Sequence, residues 1–144
     1  MATKRRTRQE KYPNTNIFTY HNQNPYNKIT SDCVPRAISF ALGLDYAAVV
    51  KEMAEIQCLT GIDIRDNRED LLLKRYGYDK QPMLKHHDNT KYTLKEFVRR
   101  FPKGTYLIHM PHHLTVVKDG KNYDIFDCTK TTVKLGNYWI IKGE

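Results

Sequence analysis

A chain of 144 residues with a formal charge of +8 and only three cysteines is long enough for one hydrophobic core and too poor in cysteine for a disulfide scaffold. It holds no apolar run of membrane-spanning length and opens on no signal-peptide segment, so a cytoplasmic protein with free thiols and no membrane partner is expected. The charge is uneven, with Lys4, Arg5, Arg6, Arg8 and Lys11 set against Glu10 alone near the start. This stretch lacks apolar periodicity and reads as a disordered basic tail over residues 1–16, followed by a single domain over 17–144. A basic tail can hold nucleic acid or an acidic protein through its charges, but it is more often a solvated end. The interleaved tyrosines match no RNA-binding motif, so nucleic acid is not the favoured partner.

Residues 17–31, rich in Asn, Tyr and Pro, read as an irregular lead-in. Val34, Ala37, Ile38, Ala41 and Leu42 then follow the spacing of a helix with one buried face, over about 33–43 and ended by Gly43. Ser31 and Asp32 suit its N-cap, and Pro35 is tolerated only in a first turn. Asp45 can cap a second helix whose Tyr46, Val49, Val50, Met53 and Ile56 share a face, and Asn67 a third through Leu71–Leu73. Thr93-Leu-Lys-Glu96 is a capping box that opens a short fourth helix. Four β-prone runs follow, at Thr105–Met110, His113–Lys118, Lys121–Phe126 and about Thr132–Ile141. Helices first and strands last predict an α+β domain, with N-terminal helices packed on a C-terminal antiparallel sheet.

Cys33 falls at the first helix's N-terminus, where unpaired N–H groups and the dipole favour a thiolate. That is where a nucleophile would stand, although an isolated cysteine at such a place is more often a small core residue. Cys58, late in the second helix, and Cys128, after the last hairpin, are expected to be small hydrophobes. The base has two candidates, and strand alternation keeps His112 and His113 from serving one site. His113 opens the Leu-Thr-Val-Val strand and is preferred, while His109 lies inside the preceding strand. The orienting acid depends on the Asp119-Gly120 turn. A two-residue loop pairs 113 with 126 and 115 with 124, putting Asp124 on the face of His113. A three-residue loop pairs 113 with 127, and Asp127, at its strand's end, is the preferred acid. Cys33, His109, His112, His113 and Cys128 are also donors suited to zinc, but no close cysteine pair accompanies them, and neither metal nor cofactor is expected.

Asn27–Leu42 and His113–Asp127 together resemble the two active-site blocks of papain-like cysteine peptidases, closest to the peptidase domains of bacteriocin exporters and compact phage-type relatives. In that family a Gln six residues before the Cys supplies the oxyanion hole; Asn27 stands at that position here. Asp32 matches the acid that directly precedes the Cys in the exporter peptidases. The chain departs from the family in placing Val34-Pro35-Arg36 after the cysteine. The resemblance implies a papain-like fold that hydrolyses a peptide or isopeptide bond of a peptide or protein substrate. Cys33 would be nucleophile, His113 base, Asp127 the orienting acid and Asn27 an oxyanion donor. The alternative is a papain-like fold without turnover, a binding module whose basic tail meets an acidic protein or nucleic acid.

Overall fold

Apolar alternation along the strands sets the architecture of this protein, whose computed structural model describes residues 5–142. Leu107, Leu114, Val116, Trp139 and Ile141 supply one core, and Ile108, Met110 and Val117 another. A sheet apolar on both faces needs a layer on each side. The elements are α1 (Arg8–Lys11), β1 (Phe18–Tyr20), α2 (Cys33–Leu42), α3 (Tyr46–Thr60), α4 (Glu69–Arg75), α5 (Leu94–Arg100), β2 (Thr105–Met110), β3 (His113–Lys118), β4 (Lys121–Asp124), a 3-10 turn at Cys128–Lys130, and β5 (Tyr138–Ile141). Val34, Ala37 and Ile38 of α2, Val49, Met53 and Ile56 of α3 and Leu72 and Leu73 of α4 join the first core. Leu94, Phe97 and Val98 of α5 join the second.

The fold is α+β, as the element order predicts, but the sheet is mixed rather than antiparallel. Its order is β1-β4-β3-β2-β5. The antiparallel part, β4-β3-β2-β5, comes from the expected runs, while β1 arises from the lead-in and pairs parallel to β4, Phe18 opposite Asn122 and Tyr20 opposite Asp124. Three residues are too few to show a period of two, so this strand leaves no pattern in the sequence. It matters because the His21 N–H donates to the Asp124 carbonyl at 2.9 Å and ties down the end of β4.

The helix ends follow local chemistry. Asp45 accepts from the Ala48 N–H at 3.1 Å, and Thr93 and Glu96 close the capping box of α5. Gly43 ends α2 at φ +67°, and the Leu44 N–H returns to the Ser39 carbonyl. Asn67 does not cap α4; it lies in the left-handed region, and Arg68 precedes the helix without a side-chain cap. The basic tail also differs from expectation. Residues 8–11 form one helical turn capped by Thr7, and Arg8 bonds back to the Ile125 carbonyl. Residues 1–4 lie outside the described part.

The β3–β4 turn is the two-residue alternative. Lys118 pairs with Lys121, while Asp119 and Gly120 both take positive φ, +50° and +75°. Such a turn matches the strands' twist. A Cβ on Gly120 would stand 3.3 Å from the Pro102 carbonyl oxygen in a backbone region that L-residues avoid. Gly120→Ala is therefore expected to cost about 1–2 kcal/mol, measured by denaturant unfolding.

Candidate active site

α2 places Cys33 at its first helical position, where the N–H has no carbonyl one turn earlier to meet. The helix packs along β3, which begins at His113, and this brings the thiol and the imidazole to one place across 80 positions of sequence. Thiol and imidazole line one cleft of about 650 Å³. The loop Ile29–Ser31 contributes one wall, and His112, Ile125 and Phe126 another.

The turn decides which acid reaches the base. Continuing the β3–β4 register places Asp124 opposite Thr115, two positions from His113 and on the same face. Asp124 Oδ2 accepts from His113 Nε2 at 2.6 Å and from Thr115 Oγ1 at 2.6 Å. Its Oδ1 accepts from the Ile125 N–H at 2.7 Å and from Arg36 Nη1 at 3.2 Å. With Nε2 bound to the carboxylate, Nδ1 is the ring nitrogen left for the thiol. Asp127, the preferred acid in the sequence, takes no part. Its Oδ1 caps the 3-10 turn through the Thr129 N–H and hydroxyl, and no contact with His113 is formed. The shorter loop is the physical reason.

Asn27 likewise lies off the site. It is exposed at φ +53° in a turn closed by its N–H on the Asn24 carbonyl, and it lines neither space beside Cys33. Gln23 instead lines the narrow crevice that Cys33 shares with Arg36, Ala37 and Phe40. His21 Nε2 meets its Oε1 at 2.6 Å, which leaves the amide nitrogen as donor. Gln23 stands ten positions before Cys33, not six, so the family spacing points past it.

Behind the site lies a buried network. Arg36, 7% exposed, bridges Asp32 at 2.7 Å and Asp124 at 3.2 Å. Asp32 also accepts from Asn24 and from the Tyr46 hydroxyl. The acid before the cysteine therefore holds the arginine that holds the orienting acid. The i, i+4 spacing of Asp32 and Arg36 is the signal in the sequence for this pair.

Electrostatics favour a charged pair at the site. Burial acts to raise the Cys33 thiol, but the hydrogen bond and charge of His113, the Leu114 N–H and Arg36 outweigh it and leave the thiol below its ordinary value. Burial acts to lower His113, and its bond to Asp124 together with the nearby Cys128 and Cys33 reverses that and holds it well above the usual imidazole range. Asp124, penalised by burial, is kept below the ordinary carboxylate value chiefly by His113, Thr115 and Arg36. Cys128 goes the other way. Burial pushes its thiol up to about 12, so it stays protonated as a donor 3.5 Å from Asp124 Oδ2.

His113, Asp124 and Cys128 offer donor atoms within 4.8 Å of one another. Direct hydrogen bonds already tie these atoms together. His109, another candidate ligand in the sequence, belongs elsewhere, with Nδ1 on Glu69 at 2.6 Å. His112 lines the cleft at φ +58° and is exposed. Cys58, expected in the core, is exposed, whereas Cys128 is fully buried.

A thiol below its ordinary value reacts at lower pH than a free one. Iodoacetamide at about pH 6 should label Cys33 well ahead of Cys58, although Cys58 is the more exposed, and should leave Cys128 untouched until the protein unfolds. Peptide mass mapping reads all three sites in one experiment. Comparison of the chain with protein-family models, curated proteins and solved structures gave no match.

Proposed function

We propose that this protein is a cysteine peptidase or isopeptidase that works by acyl transfer through Cys33. The observation that carries the reading is the Cys33–His113–Asp124 alignment, a helix-start thiol on one side of a half-buried imidazole and a saturated carboxylate on the other. A nucleophile, a base and an orienting group in that order make up the apparatus of covalent acyl transfer. The Cys33 thiolate attacks the substrate carbonyl carbon and forms a C–S bond, and the carbonyl electrons move to oxygen. The Cys33 N–H and the Gln23 amide supply donors for that oxyanion. As the tetrahedral species collapses, the C–N bond breaks and the His113 imidazolium gives its proton to the leaving amine. Neutral His113 then takes a proton from water, which attacks the thioester, releases the acid and restores the thiolate–imidazolium pair. Asp124 accepts from Nε2 throughout and keeps Nδ1 turned to the thiol.

Asp124 thus takes the orienting role expected of Asp127, and Gln23 the donor role expected of Asn27. Among the described residues no helix is long and apolar enough to cross a membrane. The test is a complex peptide mixture digested with the protein and searched for new amino termini by mass spectrometry. Wild type should create termini that Cys33→Ala does not. Identical profiles from the two proteins would favour the binding-module alternative.

A further inference from the structure

The cleft carries four arginine and aspartate charges besides the site's own Arg36, and their pairing is unequal. Arg65 is bound through two nitrogens to Asp63, at 3.2 and 3.1 Å. Arg36 is held by Asp32 and Asp124. Arg8 also lines the cleft, and it forms no ion pair among the described residues. Asp66 is the remaining charge of the lining, in the same segment as Asp63 and Arg65.

Arg8 is held in place without being neutralised. Its Nε donates to the Ile125 carbonyl at 2.8 Å, and its guanidinium carbon stands 5.6 Å from the Tyr12 ring centre and 6.0 Å from that of Phe126. Phe126 in turn packs on the His113 imidazole, ring centres 4.8 Å apart. The guanidinium, Phe126 and His113 thus follow one another along the cleft that Cys33 also lines. A planar cation fixed through Nε keeps its outer nitrogens for a carboxylate and loses little side-chain freedom on binding one.

We infer that Arg8 forms a carboxylate-binding subsite of this cleft, so that the preferred substrate carries an acidic side chain or a free terminal carboxylate close to the bond attacked by Cys33. This rests on the acyl-transfer reading of Cys33 and adds the substrate class to it. The chain's charge of +8 acts in the same direction, since it raises the local concentration of anionic peptides around the cleft. The basic tail then serves the active site rather than a separate partner.

Peptide thioesters of matched sequence, used with the full chain, test the subsite. One arm walks Glu, Gln or Lys through the positions before the reactive carbonyl. A second arm keeps a neutral peptide and puts either a carboxylate or its amide on the leaving thiol, which separates a side-chain acid from a terminal one. In one arm the carboxylate should be preferred over its amide by about tenfold or more in the rate constant for Cys33 acylation. The preference should fall to within about twofold in Arg8→Gln and stay intermediate in Arg8→Lys. Arg100→Gln, which removes the same charge outside the cleft, should keep it. Equal rates for carboxylate and amide in both arms would overturn the inference. So would a preference that survives Arg8→Gln or is lost equally in Arg100→Gln. If Cys33 is acylated by every thioester without preference, only the subsite fails; if none acylates it, the acyl-transfer reading fails and the subsite with it.

Discussion

His113→Ala is expected to remove acylation at Cys33 as completely as Cys33→Ala does. The imidazole has two duties here, and both disappear together. As a hydrogen-bonded cation it holds the thiol below its ordinary value against the opposing pull of burial. As the acid of the proposed reaction it would protonate the leaving amine. Without it Cys33 is a partly buried thiol facing a desolvation penalty, and burial alone raises a thiol. A loss of about 10²–10⁴ in kcat/KM is expected from the proton transfer alone, and the smaller thiolate fraction adds to it. Stopped-flow alkylation across pH separates the two effects. The reactivity curve of Cys33 should move towards that of an ordinary thiol in His113→Ala, while Cys58 stays unchanged. If Cys33 reacts in His113→Ala as it does in wild type, the histidine is not its partner.

The second large effect distinguishes two aspartates three positions apart. Asp124→Ala strips the acceptor from His113 Nε2 and leaves the buried Arg36 with Asp32 as its sole carboxylate. Breaking a buried ion pair from one side costs about 3–5 kcal/mol, so this variant should melt well below wild type. Asp124→Asn keeps the shape and is the better kinetic probe. It should lower kcat/KM by about 10²–10⁴, because an amide no longer fixes Nδ1 towards the thiol. Asp127→Asn removes no contact to the base and should keep activity within about threefold of wild type. The two substitutions exchanged in effect would restore the longer-loop assignment.

The pH dependence of stability follows from the same groups. Asp124 is depressed below its ordinary 3.8, so its contribution is full above that value and is lost as pH falls through the folded one. His113 is raised above its ordinary 6.5, so its contribution is full below that value and is lost as pH rises towards the folded one. The stability gap between wild type and Asp124→Asn should therefore be widest at about pH 5–6 and narrow in acid, as denaturant unfolding at several pH values would show.

The two halves of the site were legible in the sequence because each lies in a strongly patterned element. Apolar spacing after Asp32 fixed a helix start at Cys33, and Pro-His-His followed by Leu-Thr-Val-Val fixed a strand start at His113. The acid was not legible to the same degree, since one residue of loop length moves it from position 124 to 127. Asp-Gly is itself the signal of a two-residue turn, the loop that brings Asp124 beside His113. Gln23 escaped because it sits in an aperiodic lead-in and its spacing differs from the family's. β1 escaped because it is short, and a parallel partner so far along the chain leaves no local trace. Arg8 escaped for a different reason. Its place depends on Ile125 and Phe126, 117 positions away in one case, and composition alone makes such a residue look like solvated tail.

In the proposed reaction Cys33 forms a covalent bond with a substrate acyl group under the control of His113. Intact-mass spectrometry of the full chain, quenched in acid within seconds of mixing with a peptide thioester, reads that bond directly. Wild type should gain the mass of one acyl group, mapped to Cys33, and lose it again as water attacks. Cys33→Ala should gain none, and His113→Ala none on the same time scale. Acyl mass on Cys58, or on Cys33 at equal rates in wild type and His113→Ala, would contradict acyl transfer through a Cys33–His113 pair.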